Sequence, residues 1–169
     1  MRIVAVDGPS GAGKTTFART LGGVVVPTDH FATWDDPVAW WPRLVADVIT
    51  PLRAGRPGRY RRMDWSDGLP KLGEHVDVPP TDLLVIEGVS SARRAATWLT
   101  EAIWVEGPSA PERLERAVAR DGEQSRPHLE RWQAFERGWF AVDRTKERAT
   151  RIVDAPTPPP STTSPPPGN

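Results

Sequence analysis

The residues best suited to chemistry in this chain are the letters GPSGAGKT, which run from Gly8 to Thr15. They fit the pattern GxxxxGK[ST], in which the backbone N–H groups of a loop converge on phosphate oxygens. In such a loop Lys14 reaches the β- and γ-phosphates, and the Thr15 hydroxyl coordinates Mg²⁺; the alternative is a glycine-rich turn without a ligand. Nucleotide contacts are predicted for Gly8, Ser10, Gly11, Ala12, Gly13, Lys14, Thr15 and Thr16.

Carboxylates follow apolar runs at two other places and could act beside a phosphate. Asp29 comes after the run Val24 to Val26, and Glu87 comes directly after Leu83 to Ile86. Because ligands bind at the carboxyl ends of parallel strands, we expect both side chains at the sheet edge that carries the loop. One acid can take or orient the proton of an attacking hydroxyl, and the other can hold Mg²⁺. Alternatively, either acid only caps a helix or faces solvent.

A row of arginines could close over the same edge. Arg113, Arg116 and Arg120 are spaced three and four residues apart, which places them on one side of a helix. Near a triphosphate such a row can act as a lid that neutralises charge on the transferred phosphoryl group. The alternative is a solvated helix with an ordinary ion pair between Glu112 and Arg116.

Short β-branched runs alternate with longer helical patterns, which predicts an α/β fold with a parallel sheet covered by helices. The five expected strands are Ile3 to Val6, Val24 to Val26, Leu83 to Ile86, Ile103 to Val105 and Ile152 to Val153. Helices are predicted from about Trp41 to Leu52 and from about His128 to Arg148. The glycines, prolines and charges from Arg56 to Pro80 predict a long connection with little regular structure.

Composition limits the classes of function. The 169 residues include 22 basic and 22 acidic side chains, so no broad basic field favours a nucleic acid partner. There are no cysteines, which excludes disulfides and thiolate chemistry. The first apolar run is too short for a signal peptide or a membrane span, so we expect a cytoplasmic protein with no membrane partner. Residues 1–155 are predicted to form one domain, and the proline-rich residues 156–169 a disordered tail.

The order of these motifs resembles the uridine kinase family of P-loop nucleoside kinases. The matching pieces are GPSGAGKT, TDHF after the second strand, RRMDW, LLVIEGV and RLERAVARD. The resemblance implies a three-layer P-loop NTPase fold whose lid carries the three arginines that close over the phosphates. It implies that Asp29 activates the acceptor hydroxyl and that Thr15 and Glu87 are partners of Mg²⁺. The adenine ring would rest near Pro156.

The segment that would recognise the acceptor departs from that family. In uridine kinases a tyrosine normally stands where Met63 lies, and a histidine that helps to recognise the pyrimidine stands where Gly68 lies. These differences count against uridine itself as the acceptor. A base or another flat ring could stack on aromatic side chains, which could equally belong to the core. Contacts with the acceptor are predicted for Asp29, Phe31, Trp34, Tyr60, Asp64 and Trp65.

Together these features predict a kinase that uses ATP and Mg²⁺ and phosphorylates a hydroxyl of a nucleoside or a similar small molecule. The start of the chain also resembles cytidylate kinases, whose acceptor is a nucleoside monophosphate. An antibiotic or another metabolite is a further alternative, because a fold does not fix a substrate. A nucleotide-binding switch without transfer is the alternative from a different class. No oligomeric state is predicted.

Overall fold

A parallel β-sheet forms the centre of the protein. The computed structural model describes residues 1–66 and 69–154. The strands in these residues are β1 (Arg2–Asp7), β2 (Val24–Pro27), β3 (Gly58–Asp64), β4 (Lys71–Val78), β5 (Leu83–Glu87), β6 (Glu101–Glu106) and β7 (Arg151–Asp154). Five of them pair in parallel in the order β2-β5-β1-β6-β7. The predicted α/β fold with a five-stranded parallel sheet is confirmed.

Helices connect the strands. They are α1 (Lys14–Arg19), α2 (Trp41–Leu44), α3 (Thr50–Arg53), α4 (Ala110–Asp121), α5 (Arg126–Asp143) and α6 (Thr145–Arg148). A π-helical turn, Val45–Ile49, joins α2 to α3, so the helix predicted here exists as one continuous helical stretch. The prediction of one unbroken helix up to Arg148 is wrong, because Arg144 has a φ of 54° and this left-handed conformation ends α5 before α6 begins.

Successive residues of a strand point to opposite sides of the sheet. Because both sets of residues are apolar here, the sheet is apolar on both faces. On one face, Ile3 and Leu84 pack in a buried cluster with Leu44 of α2. On the other face, Val4 packs in a second buried cluster with Ala18 of α1. Helices therefore cover both faces of the sheet.

The segment before β5 is a β-hairpin, which corrects the prediction of little regular structure. Strands β3 and β4 pair antiparallel, with a register shift between Arg61 and Met63. Tyr60 of β3 is buried, and its ring stacks on that of Phe31 at a centroid distance of 4.6 Å. Burial of one face stabilises the hairpin, while the charged residues of the other face obscure the alternation in the sequence.

Several predictions concern residues outside the described part of the chain. The proposed domain boundary at residue 155, the proline-rich tail and the adenine contact at Pro156 lie there, as does Gly68. Within residues 1–66 and 69–154, no helix is both long and apolar enough to cross a membrane.

Candidate active site

Glycines shape the predicted phosphate-binding loop, residues 8–15, which we call the phosphate loop. Gly8, Gly11 and Gly13 have φ values of 143°, 77° and 92°, which residues with a side chain rarely adopt. A Cβ atom at Gly11 would also lie 2.8 Å from the carbonyl oxygen of Arg113. The loop is therefore a cradle that requires glycine at these positions, as expected of a loop whose backbone approaches phosphate oxygens.

Lys14 lies against this loop. Its Nζ donates a hydrogen bond to the carbonyl oxygen of Pro9 at 3.0 Å, and its side chain is buried. Burial raises the pKa values of Asp7, Glu87 and Glu136, and the charge of Lys14 opposes that shift at each of them. The ammonium group is thus within electrostatic reach of the carboxylates that surround the loop.

Thr15 and Glu87 meet at the start of α1. The Thr15 hydroxyl donates to Oε2 of Glu87 at 3.1 Å, and Glu87 ends β5 with its carboxylate buried. A hydroxyl and a carboxylate are the hard oxygen ligands that Mg²⁺ prefers, usually with phosphates and waters completing the shell. The pair therefore fits the predicted metal, although no group of three or more His, Cys, Asp or Glu residues suited to a metal occurs in the described residues.

Asp7 is a buried acid of the site that the motifs did not predict. Its Oδ1 accepts hydrogen bonds from the N–H groups of Gly8 at 2.8 Å and Ser90 at 3.2 Å, and its Oδ2 accepts one from Ala92 at 2.9 Å. Burial raises its pKa to about 7, against the effect of these amides. Asp7 thus ties the start of the phosphate loop to the loop that follows β5. Its place at the end of an apolar strand, like that of Glu87, is the signal that could have indicated it.

A cleft of about 760 Å³ opens beside the phosphate loop. Its walls include Ser10, Asp29, Trp34, Trp65, Arg120 and Trp132. Asp29 belongs to a short 3₁₀ turn, Thr28–His30, that directly follows β2. Burial raises the pKa of Glu87, and pairing with Asp121 raises the pKa of Arg120. The charge of Asp29 adds to both shifts, so these groups lie close enough to interact. The structure therefore brings the predicted acid, the loop and one predicted lid arginine to one place.

Trp34 is at the centre of the aromatic walls of the cleft. It makes edge contacts with Trp65 and Trp132, at centroid distances of 4.9 Å and 6.0 Å, and stacks on His128 at 5.0 Å. The indole N–H of Trp65 donates to the backbone carbonyl of Asp29 at 2.9 Å. The hairpin thus contacts the same turn that carries the acid.

Other residues predicted to contact the acceptor do not line the cleft. Phe31 and Tyr60 are each 2 % exposed and belong to the core. The Tyr60 hydroxyl lies 2.7 Å from Nδ1 of His30, so it supports the turn rather than facing the cleft. The carboxylate of Asp64 accepts a hydrogen bond from the backbone N–H of Ser66 at 2.9 Å, which stabilises the end of β3.

The three predicted lid arginines lie on α4 but in different surroundings. Arg113 donates to the Pro108 carbonyl at 2.6 Å and packs beside Gly11 of the phosphate loop. Arg120 lines the cleft and makes two hydrogen bonds of 2.6 Å with Asp121. Arg116 is exposed. The structure therefore brings Arg113 and Arg120 to the loop and the cleft, and leaves Arg116 facing solvent.

Comparisons with known proteins give a fold. No protein-family model and no curated protein matches the chain. A solved structure from Bacillus stearothermophilus, described as a possible uridine kinase, matches with a TM-score of 0.61 at 17% identity, over 90% of this chain and 88% of that one. Another, from Silicibacter sp. TM1040 and described as a candidate fructose transport system kinase, matches with a TM-score of 0.53 at 19% identity, over 90% of this chain and 89% of that one. The chain shares the α/β P-loop NTPase fold of these structures.

Two residues reach the phosphate loop from α5. Ser10 donates its backbone N–H and its hydroxyl to the carboxylate of Glu136, and the indole N–H of Trp132 donates to the Ser10 hydroxyl oxygen at 2.8 Å. The sequence motifs indicated neither residue. The sequence carries no signal for this contact, because it depends on how α5 crosses the phosphate loop.

Proposed function

We propose that the chain is a kinase that transfers the γ-phosphoryl group of ATP, with Mg²⁺, to a hydroxyl of a compact, nucleoside-like acceptor. The observation that carries the proposal is that Ser10 of the phosphate loop and Asp29 line one cleft together with Arg120. Donor and acceptor molecules bound there would hold their reacting groups side by side. The solved structures of the same fold are described as kinases, which supports the same class of reaction.

In the proposed reaction, Asp29 orients the acceptor hydroxyl and takes its proton. The hydroxyl oxygen bonds to the γ-phosphorus while the bond to the β–γ bridging oxygen breaks, and ADP leaves with that electron pair. Lys14 and the N–H groups of the loop stabilise the negative charge of the phosphates. Thr15 and Glu87 would hold Mg²⁺, which supplies further positive charge to the phosphate oxygens when bound.

Helix α4 would supply the lid. Arg113 lies beside the phosphate loop and Arg120 lines the cleft, so a small movement of α4 could bring both guanidinium groups to the transferred phosphoryl group. Closure would exclude water, which would otherwise accept the phosphoryl group. An enzyme of this kind would act in the cytoplasm, where ATP is available.

The charges of the cleft favour an acceptor without a phosphate group. Among its described lining residues the acids are Asp29 and Asp121, and the cation is Arg120, which already pairs with Asp121. A nucleoside monophosphate would place its negative charge beside Asp29, and it would have to share Arg120 with the transferred phosphoryl group. The tryptophan walls suit a flat, uncharged group, and the volume is typical of a small-molecule site. A nucleoside and an aromatic metabolite with a hydroxyl group both meet these conditions.

The test is a panel of acceptors. The protein is incubated with Mg-ATP and nucleosides, nucleoside monophosphates or small alcohols, with ADP release measured and phosphorylated products detected by mass. We expect an uncharged nucleoside or another flat alcohol to stimulate ADP release, and the monophosphates to be poorer acceptors. ADP release that no acceptor stimulates would contradict a kinase and favour a nucleotide-binding switch.

A further inference from the structure

Glu136 is a buried carboxylate for which the proposed reaction has no use. It lies in α5, it is 1 % exposed, and it contacts a residue 126 positions earlier in the chain. The backbone N–H of Ser10 donates to both of its oxygens, at 3.2 and 3.0 Å, and the Ser10 hydroxyl donates to Oε2 at 2.8 Å. Burying a carboxylate costs free energy unless hydrogen bonds compensate for it. The bonds from Ser10 supply that compensation for Glu136.

The hydrogen bonds at Ser10 form a directed chain. The Trp132 indole can only donate, so the Ser10 hydroxyl oxygen accepts from it and donates its own proton to Glu136. Trp132 and Glu136 are four residues apart and therefore neighbours on one side of α5. One helix thus holds both the backbone and the side chain of Ser10.

Ser10 is where the phosphate loop and the cleft meet. It is the third residue of the loop and it also lines the cleft, as do Leu129 and Trp132 of α5. Leu129 packs in a buried cluster with Ala117 and Val118 of α4. Helix α5 is therefore in contact with the lid helix, the cleft and the loop.

The surroundings of Glu136 distinguish two roles for it: it could hold the phosphate loop in place, or it could compete with the phosphates as an anion. Lys14 and Arg113 both oppose the burial that raises its pKa, so both cations are near it. A carboxylate that occupied the phosphate position would be expected to pair with Lys14, but Nζ of Lys14 donates to the Pro9 carbonyl instead. The contacts of Glu136 are with Ser10, which favours holding the loop over competing with the phosphates.

We propose that Glu136 is a positioning residue, which together with Trp132 fixes Ser10 so that the phosphate loop keeps its nucleotide-binding geometry only while α5 is seated against it. The inference rests on the nucleotide-binding part of the proposed function. It makes the wall of the cleft and the phosphate loop a single coupled unit, joined through one serine.

The test measures MgADP affinity by calorimetry in Glu136→Gln, Ser10→Ala and the double variant. Gln keeps the shape of the side chain but offers one acceptor oxygen, so at least one bond to Ser10 is lost. We expect Glu136→Gln to bind MgADP roughly tenfold more weakly, which corresponds to one hydrogen bond to a charged group. In the Ser10→Ala background the same substitution should have a smaller effect, because the two residues act together.

The matched control is Glu130→Gln, an exposed glutamate of the same helix, which should bind MgADP like the wild type and show no coupling to Ser10→Ala. Unfolding midpoints separate a positioning role from a merely structural one. A lower midpoint for Glu136→Gln with unchanged MgADP affinity would overturn the proposal. Tighter binding of MgADP would also overturn it, because the carboxylate would then be an anion that competes with the phosphates.

Trp132→Phe provides a second variant in case Glu136→Gln does not fold. It keeps an aromatic ring and removes the donor to Ser10, so MgADP affinity should fall roughly threefold while the unfolding midpoint changes little. Unchanged affinity in both Trp132→Phe and Ser10→Ala would overturn the proposal. ADP binding requires no acceptor, so a wild-type chain that binds MgADP and phosphorylates nothing would refute the kinase and leave this test in force.

Discussion

The phosphate loop is one stretch of eight consecutive residues, whereas the walls of the cleft come from the end of β2, the hairpin, the end of α4 and α5. Backbone conformation shapes the loop, through glycines with positive φ. Side-chain packing shapes the cleft, through the contacts of Trp34 with Trp65, His128 and Trp132. A site made of local backbone is encoded by a short motif, and a site made of distant side chains can vary while that motif stays the same.

This difference implies that the two regions can be altered separately at residues that do not contact Ser10, the serine that joins them. A substitution at the loop should change nucleotide binding, and one in the cleft should change the use of the acceptor. Asp29 and Lys14 provide the largest expected effects, and residues that support the cleft from the core provide the smallest.

Asp29→Asn should separate the two regions most strongly. The amide cannot take the acceptor proton, so turnover should fall by roughly 100- to 10,000-fold while MgADP affinity stays within about twofold of the wild type. Asp82→Asn is the matched control, because Asp82 is exposed and precedes β5 at the opposite end of the sheet. Turnover close to that of the wild type in Asp29→Asn would mean that the base is another acid, such as Asp35, Asp36 or Asp64.

Lys14→Ala should damage the phosphate loop. Without the ammonium group the charge of the triphosphate is not offset, so we expect turnover to fall by roughly 100- to 1,000-fold, together with a loss of MgADP affinity measured by calorimetry. Lys146→Ala is the control, since Lys146 pairs with Glu106 on the surface. Normal MgADP binding in Lys14→Ala would refute the assignment of the loop.

Trp34→Leu should affect only the cleft. The loss of its edge and stacking contacts should raise KM for the acceptor about tenfold and leave MgADP affinity unchanged. Trp98→Leu is the control, because Trp98 stacks on Trp41 and neither residue lines the cleft. This substitution should leave KM for the acceptor unaltered. Equal effects of the two substitutions on KM would show that Trp34 acts through general stability.

Tyr60→Phe should have the smallest effect. It removes the hydroxyl that bonds His30, so the free energy of unfolding in urea should fall by about 1 kcal/mol while turnover remains near that of the wild type. A large loss of turnover without a loss of stability would instead restore Tyr60 as a residue that contacts the acceptor.

The central sheet could be predicted from the sequence because its strands are short apolar runs rich in β-branched residues, and the inner strands β1, β5 and β6 are buried on both faces. The backbone geometry of the phosphate loop could be predicted because it depends on glycines that are close in sequence. The hairpin could not, since the arginines of β3 face solvent and break up the apolar pattern that Tyr60 and Met63 provide. Likewise, the sequence gives no sign of the left-handed Arg144, because the left-handed residue that ends a helix is usually glycine or asparagine.

The cleft was predictable only in part. Asp29, Trp34 and Trp65 were recognised as candidates and do line it. Phe31 and Tyr60 are equally aromatic but lie in the core, and the sequence gives no means of distinguishing an aromatic residue that faces a cleft from one that is buried. Glu136 could not be assigned, because its contact depends on how α5 crosses the phosphate loop.

The hydrogen bond from Trp65 to the Asp29 carbonyl has a consequence for how acceptor preference could be exchanged among proteins of this fold. A transplanted hairpin would bring a new aromatic surface and also a new anchor for the turn that holds the acid. Recombination at this hairpin could therefore change the lining of the cleft and the position of Asp29 in a single event. Grafts that preserve an indole at position 65 should retain turnover while their selectivity for the acceptor changes.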